Sequence, residues 1–93
     1  PPVPKAEVKS EPVTNAEEAG FRPLIGARIE LVHTNDEHTK LKPGSRGTVK
    51  YADNIDPGFE VGVAWDDGSS LSLLLDQGDT FRFIDNESLG GDQ

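Results

Sequence analysis

Phe59-Glu60-Val61-Gly62-Val63-Ala64-Trp65-Asp66-Asp67-Gly68-Ser69-Ser70-Leu71-Ser72-Leu73-Leu74-Leu75 is the stretch whose reading decides the fold. Phe59, Val61, Val63 and Trp65 share one parity, and Glu60, Gly62 and Ala64 share the other. That is the period of a half-buried β-strand. Asp66 to Ser69 form a turn cluster, after which Leu71 and Leu73 alternate with Ser70 and Ser72. Alternation interrupted by Asp-Gly predicts a β-hairpin, because this pair tolerates the left-handed backbone of a tight turn. Trp65 sits on the apolar parity and is expected in the core. Gly62, in mid-strand, is expected to mark a sharp bend or a close backbone approach.

Upstream, Ala27, Ile29 and Leu31 alternate with Arg28, Glu30 and Val32, which predicts a first strand. His33 to Lys42 reads as a polar loop closed by Pro43-Gly44, the pair that favours a type II turn. Gly47 to Tyr51 predicts a second strand with Val49 and Tyr51 on one face, followed by a turn region from Ala52 to Gly58. Downstream, Gln77-Gly78-Asp79 is a turn and Thr80 to Ile84 a last strand. Five short strands with frequent turn signals and no long helix predict an all-β fold. The expected form is a small five-stranded barrel, closed or half-open, spanning 21–86, with an extended N-terminal arm at 1–20 and a polar tail at 87–93.

The arm is read from composition. Pro1, Pro2 and Pro4 fix φ and remove donors, which favours polyproline II geometry. Pro1-x-x-Pro4 also matches a PxxP ligand in minimal form. Lys5 to Val13 carries mixed charge and no period, too polar to pack on itself. Thr14-Asn15-Ala16-Glu17 resembles a capping box and Gly20 a stop, which predicts a helix of one or two turns at 15–19.

At 93 residues and 33% hydrophobic, the chain builds one domain with a modest core. It has no cysteine, hence neither disulfide nor thiolate metal site, and no apolar run of membrane-spanning length. It has no methionine, so either it is a fragment or the initiator was removed before Pro1. The net charge of −8 repels nucleic acid as a whole. That charge is uneven: residues 40–50 hold Lys40, Lys42, Arg46 and Lys50 with no acid, whereas 53–79 hold acids with no base.

The motifs P-G-x-x-G-T-V at Pro43 to Val49 and V-x-W-D-D-G-S at Val63 to Ser69 resemble those of SH3-like small barrels. They are most similar to a family of short domains of unknown function found in actinobacterial phages and their hosts. Arg28 to Val32, Thr39 to Gly44, and Phe81 and Phe83 match the rest of that pattern, so the resemblance covers about residues 24–85. It implies fold and carries over no catalytic residue. Gly44 to Val49 is also similar to the KOW motif of ribosomal and transcription-factor barrels, which implies contact with RNA or protein through Lys42, Arg46 and Lys50.

No constellation in the sequence demands chemistry. Asp66 and Asp67 are adjacent carboxylates, but a hairpin loop asks for them on conformational grounds alone. Asp53-x-x-Asp56 and Asp76-x-x-Asp79 lack the dense oxygen ligands of a calcium loop, and His33 and His38 lack a third zinc ligand. No enzyme, cofactor or metal is expected. The expected role is a protein–protein interaction or structural module, phage-encoded, such as a capsid decoration or stabilising protein. It would dock on a virion subunit by its loops and by the arm at Pro1, Pro2 and Pro4. The alternatives are a nucleic-acid-binding barrel and an acidic regulator of a host protein. Candidate contact residues are Lys40, Lys42, Arg46, Lys50, Tyr51, Asp66 and Asp67, and the expected location is the virion or the host cytoplasm.

Overall fold

Alternation becomes burial in the computed structural model, which describes residues 5–20 and 22–88. In β4 (Phe59–Trp65), Val61, Val63 and Trp65 are buried while Ala64 is exposed. The hairpin after β4 forms as expected. Gly68 N–H donates to Trp65 O at 3.0 Å and Trp65 N–H to Ser69 O at 3.2 Å. Gly68 takes φ +92, a conformation that an L side chain resists. In β5 (Ser72–Leu75), Leu73 and Leu75 are buried. Just before it, the Leu71 carbonyl accepts the Trp65 indole N–H at 2.8 Å. Trp65 therefore buries its ring without stranding its polar edge.

The flanking strands follow the same logic. β2 (Arg28–His33) buries Ile29 and Leu31, and β3 (Arg46–Asn54) buries Gly47 and Val49. Between them, Ser45 N–H donates to Lys42 O at 2.9 Å and Gly44 has φ +102, as the Pro-Gly pair predicts. β6 (Thr80–Ser88) buries Phe81 and Phe83 completely.

The strand count and the arm depart from expectation. Among the described residues there are six strands in one antiparallel sheet, ordered β1-β6-β2-β3-β4-β5. The additional strand, β1 (Lys5–Lys9), lies in the segment read as a free arm. It pairs with β6 from Lys5 opposite Ser88 to Lys9 opposite Ile84. Ser10 N–H then donates to Phe83 O at 2.9 Å, and Ser10 Oγ accepts from Phe83 N–H at 2.9 Å. Val13 forms a bridge with Phe81 and is buried in the core. Composition misleads here because a strand needs only backbone partners and one apolar anchor. No ladder joins β5 to β6 or β1 among the described residues, so the sheet does not close on itself there.

The short helix is present as α1 (Ala16–Ala19), with its cap one residue later than the sequence motif suggested. Asn15 Oδ1 accepts from Glu18 N–H at 2.9 Å, while Glu18 Oε1 accepts from Thr14 N–H at 2.8 Å. Ala19 is fully buried, so α1 seals the sheet rather than standing apart. No helix among the described residues is long and apolar enough to cross a membrane.

Asp79 is the one buried charged residue among those described, at 7% exposure. Its Oδ1 accepts from Asn35 N–H at 2.9 Å and its Oδ2 from Leu74 N–H at 2.8 Å. One carboxylate thus clips the 33–42 loop to β5 and the turn before β6. Asn35 Nδ2 donates to Gln77 O at 2.7 Å, and His33 Nδ1 lies 2.8 Å from Gly78 O, reinforcing the clip. Asp79→Ala leaves two backbone donors without their acceptor and is expected to cost about 2 kcal/mol. Urea denaturation checks this; an unchanged midpoint would mean that water replaces the carboxylate at no cost.

Candidate functional site

Tyr51 follows a bulge. Val49 pairs with Val63 and Tyr51 with Gly62, so Lys50 is the extra residue in β3. A bulge reverses the parity beyond it. Val49 points into the core, whereas Tyr51 lies on the opposite face at 45% exposure, not on one face with it as alternation predicted.

Gly62 makes room for the ring. A Cβ at Gly62 would collide with Tyr51 Cδ2, Cε2 and Cζ. The expected close approach in mid-strand is therefore an aromatic ring lying over the backbone. The phenol is held at its far end, donating to Glu60 Oε2 at 3.0 Å and sharing a hydrogen bond with Ser72 Oγ at 2.9 Å. Three adjacent strands fix this one side chain in place. Beside it lies an open groove of about 380 Å³, lined by Lys50, Gly62, Ala64, Ser70 and Ser72 among others. An exposed aromatic shelf with hydroxyls and a lysine at its margin can stack an apolar side chain or a proline and hydrogen-bond a backbone.

The other candidate residues do not join this groove. Arg46 lines a separate concavity of about 340 Å³ with Arg22, Arg28, Ile84 and Asp85. There Arg22 grips Asp85 through two hydrogen bonds of 2.8 and 3.0 Å, and its guanidinium lies 4.4 Å from the centre of the Phe83 ring. Lys40 lines a third concavity with Asp36 and Asp67, which adjoins the Tyr51 groove through Gly68, Ser69 and Ser70. Lys42 belongs to the turn at Pro43-Gly44. The basic run is continuous in sequence, but in space Lys50 lines the Tyr51 groove, Lys40 the concavity that adjoins it and Arg46 a separate one. Pro1, Pro2 and Pro4 lie outside the described residues.

The hairpin carboxylates are engaged internally. Arg28 donates to Asp66 through two hydrogen bonds of 2.7 and 2.8 Å and to Thr48 Oγ1 at 3.0 Å. Asp66 is held below the usual carboxylate range by the Arg28 hydrogen bonds. Asp67 Oδ1 accepts from Ser69 N–H at 2.8 Å, and this bond lowers its pKa in turn. The adjacent acids shape the turn and bind across to β2. No group of three or more metal-ligating side chains occurs among the described residues. Sequence reasoning missed Arg22, Arg28, Glu60 and Ser72, because their importance lies in cross-strand register. Gly62 was the one local sign of the shelf.

A family model described as Domain of unknown function (DUF4314) matches residues 22–84, which takes in β2 to β5 and the first part of β6. No curated protein and no solved structure matches the chain.

Two outcomes follow from this geometry. Gly62→Ala is expected to destabilise by about 1–3 kcal/mol through overpacking against Tyr51. Adding Tyr51→Ala should recover most of that loss, so a double-mutant cycle reads the contact directly. Asp66 has a folded pKa below its ordinary 3.8, so its stabilisation is complete above that value and fades as pH falls through the folded pKa. Asp66→Asn should therefore be less stable than wild type at neutral pH, with the two melting curves converging in acid. The pair is exposed, so added salt should narrow the neutral-pH gap.

Proposed function

The chain belongs to the family described as Domain of unknown function (DUF4314), and from that premise we propose that it is a protein-binding module without chemistry of its own. Its contact surface is the Tyr51 groove, and its ligand is an extended protein segment. The observation that carries this reading is the locked exposed ring: Tyr51 is held over Gly62 by Glu60 and Ser72 and still exposes 45% of its surface. Ordering an aromatic before binding lowers the entropic cost of a complex.

The reading includes an SH3-like form for the five-strand unit β2 to β6. β5 and β6 lie at opposite ends of that unit, yet only residues 76–79 connect them. A flat five-strand sheet would separate its edges by about 19 Å. A connection that short supports a sheet rolled toward a barrel. The setting carried from the sequence resemblance is a phage-encoded virion component, such as a capsid decoration protein. In this form the groove and loop rim dock, because residues 5–13 line the protein's own β6.

The nucleic-acid alternative would use Lys40, Lys42, Arg46, Lys50 and Tyr51; Lys40 and Lys50 line adjoining concavities, and Arg46 lines a separate one. The host-regulator alternative would use Asp66 and Asp67, which are already committed to Arg28 and Ser69. Titration of labelled protein with short proline-containing extended peptides tests the first reading. Amide shifts should centre on Tyr51, Ala64 and Ser70, and Tyr51→Ala should weaken binding at least about tenfold with the fold intact. Shifts centred elsewhere, or unaltered affinity in Tyr51→Ala, would overturn it.

A further inference from the structure

Among the described residues β1 ends the sheet, and its outer edge is patterned to receive one particular strand. Ser10 N–H points to β6, where it donates to Phe83 O. Backbone direction alternates along a strand, so the N–H and C=O groups of Glu7 and Lys9 turn away from β6, toward the outside of the sheet. Past Ile84, β6 pairs with β1 alone, since the β2 ladder stops at Phe83. Residues 5–8 and 85–88 therefore make a two-stranded ribbon at the margin of the larger sheet, and such ribbons are marginal on their own. Val8 is 41% exposed on this ribbon, one of three large exposed hydrophobics among the described residues.

We infer that β1 pairs antiparallel with β1 of a second copy of this chain, with the two-fold axis at Val8. Charge chooses the register. Lys5, Glu7, Lys9 and Glu11 alternate in sign along the strand and just beyond it. With the axis at Val8, Glu7 stands opposite Lys9 of the second copy, and Lys5 opposite its Glu11. With the axis at Glu7 or at Lys9, every such pair is lysine on lysine or glutamate on glutamate, which destabilises a ladder. An axis at Ala6 leaves only Lys5 opposite Glu7, half as many opposite-charge pairs as the axis at Val8. The axis at Val8 also turns the outward backbone groups of Glu7 and Lys9 toward each other and lays Val8 against Val8 of the second copy. The alternating charges that would blunt this edge against a random strand thus favour one self-complementary pairing. Lys9 Nζ also lies 3.1 Å from Glu30 Oε1.

A single added strand pair is small beside the roughly 1,200 Å² of a stable interface, so the dimer dissociates on dilution. Cross-linking traps it. The chain has no cysteine, so an introduced thiol is its only one. In the inferred register, residue 8 meets its symmetry mate at a non-hydrogen-bonded position with Cα atoms about 4.5 Å apart. That separation lies within disulfide reach. Residue 6 would be about 13 Å from its mate, beyond it.

Under mild oxidation at high concentration, full-length Val8→Cys should become a disulfide dimer and Ala6→Cys should not. A second measurement uses charge: Glu7→Lys and Lys9→Glu should each be monomeric by light scattering, and their equimolar mixture should form a heterodimer. Cross-linking through Ala6→Cys, equal cross-linking of both variants, or none in either would overturn the inference. So would single charge variants that associate as wild type does.

Discussion

Phe81 and Phe83 meet edge to face with ring centres 5.3 Å apart, both fully buried, and the sheet is arranged around that pair. Burying them requires cover for their side chains and partners for their backbone. β2 supplies one edge, with Leu31 opposite Phe81 and Ile29 opposite Phe83. The N-terminal segment supplies the other, through Val13 at Phe81 and Ser10 at Phe83. A strand exposed along either side would be a template for another chain. The leading segment is drawn into the fold for this reason, despite its polar composition.

The same economy of partners shapes the remaining surface. Asp79 meets two backbone donors, Asp66 meets Arg28 and Asp67 meets Ser69, so the carboxylates nearest the turns are used in holding them. Among the described residues, no buried side-chain polar atom lacks a hydrogen-bond partner. What stays available is an aromatic shelf on one face and the outer side of β1. Both are surfaces of backbone and ring. Loops and edges around a stiff sheet are where such features can be held in place without disturbing the core.

How far this was legible depends on the range of each interaction. The hairpin at Asp66 to Ser69, the turn at Pro43-Gly44 and the core positions Ile29, Leu31, Val61, Val63 and Trp65 are local patterns, and each appears where alternation puts it. Tyr51 was placed on the wrong face because an additional residue at Lys50 breaks the period, and a bulge leaves no compositional trace in Gly-Thr-Val-Lys-Tyr. The residues of the basic run are neighbours in sequence, which says nothing of where each side chain points. Strand alternation and loop geometry send Arg46 and Lys40 to different concavities.

The sequence by itself determined an all-β chain, its turns and the side of each central strand that faces inward. Those depend on conformational preference and on a period of two, both of which act over a few residues. Only the tertiary structure decided that residues 5–13 join the sheet, that Tyr51 lies over Gly62, and that Arg28 reaches Asp66. Each of these is a meeting of residues distant in the chain or shifted in register. Cross-strand register is chosen by the whole sheet at once, through the joint burial of its apolar faces and the pairing of its backbone.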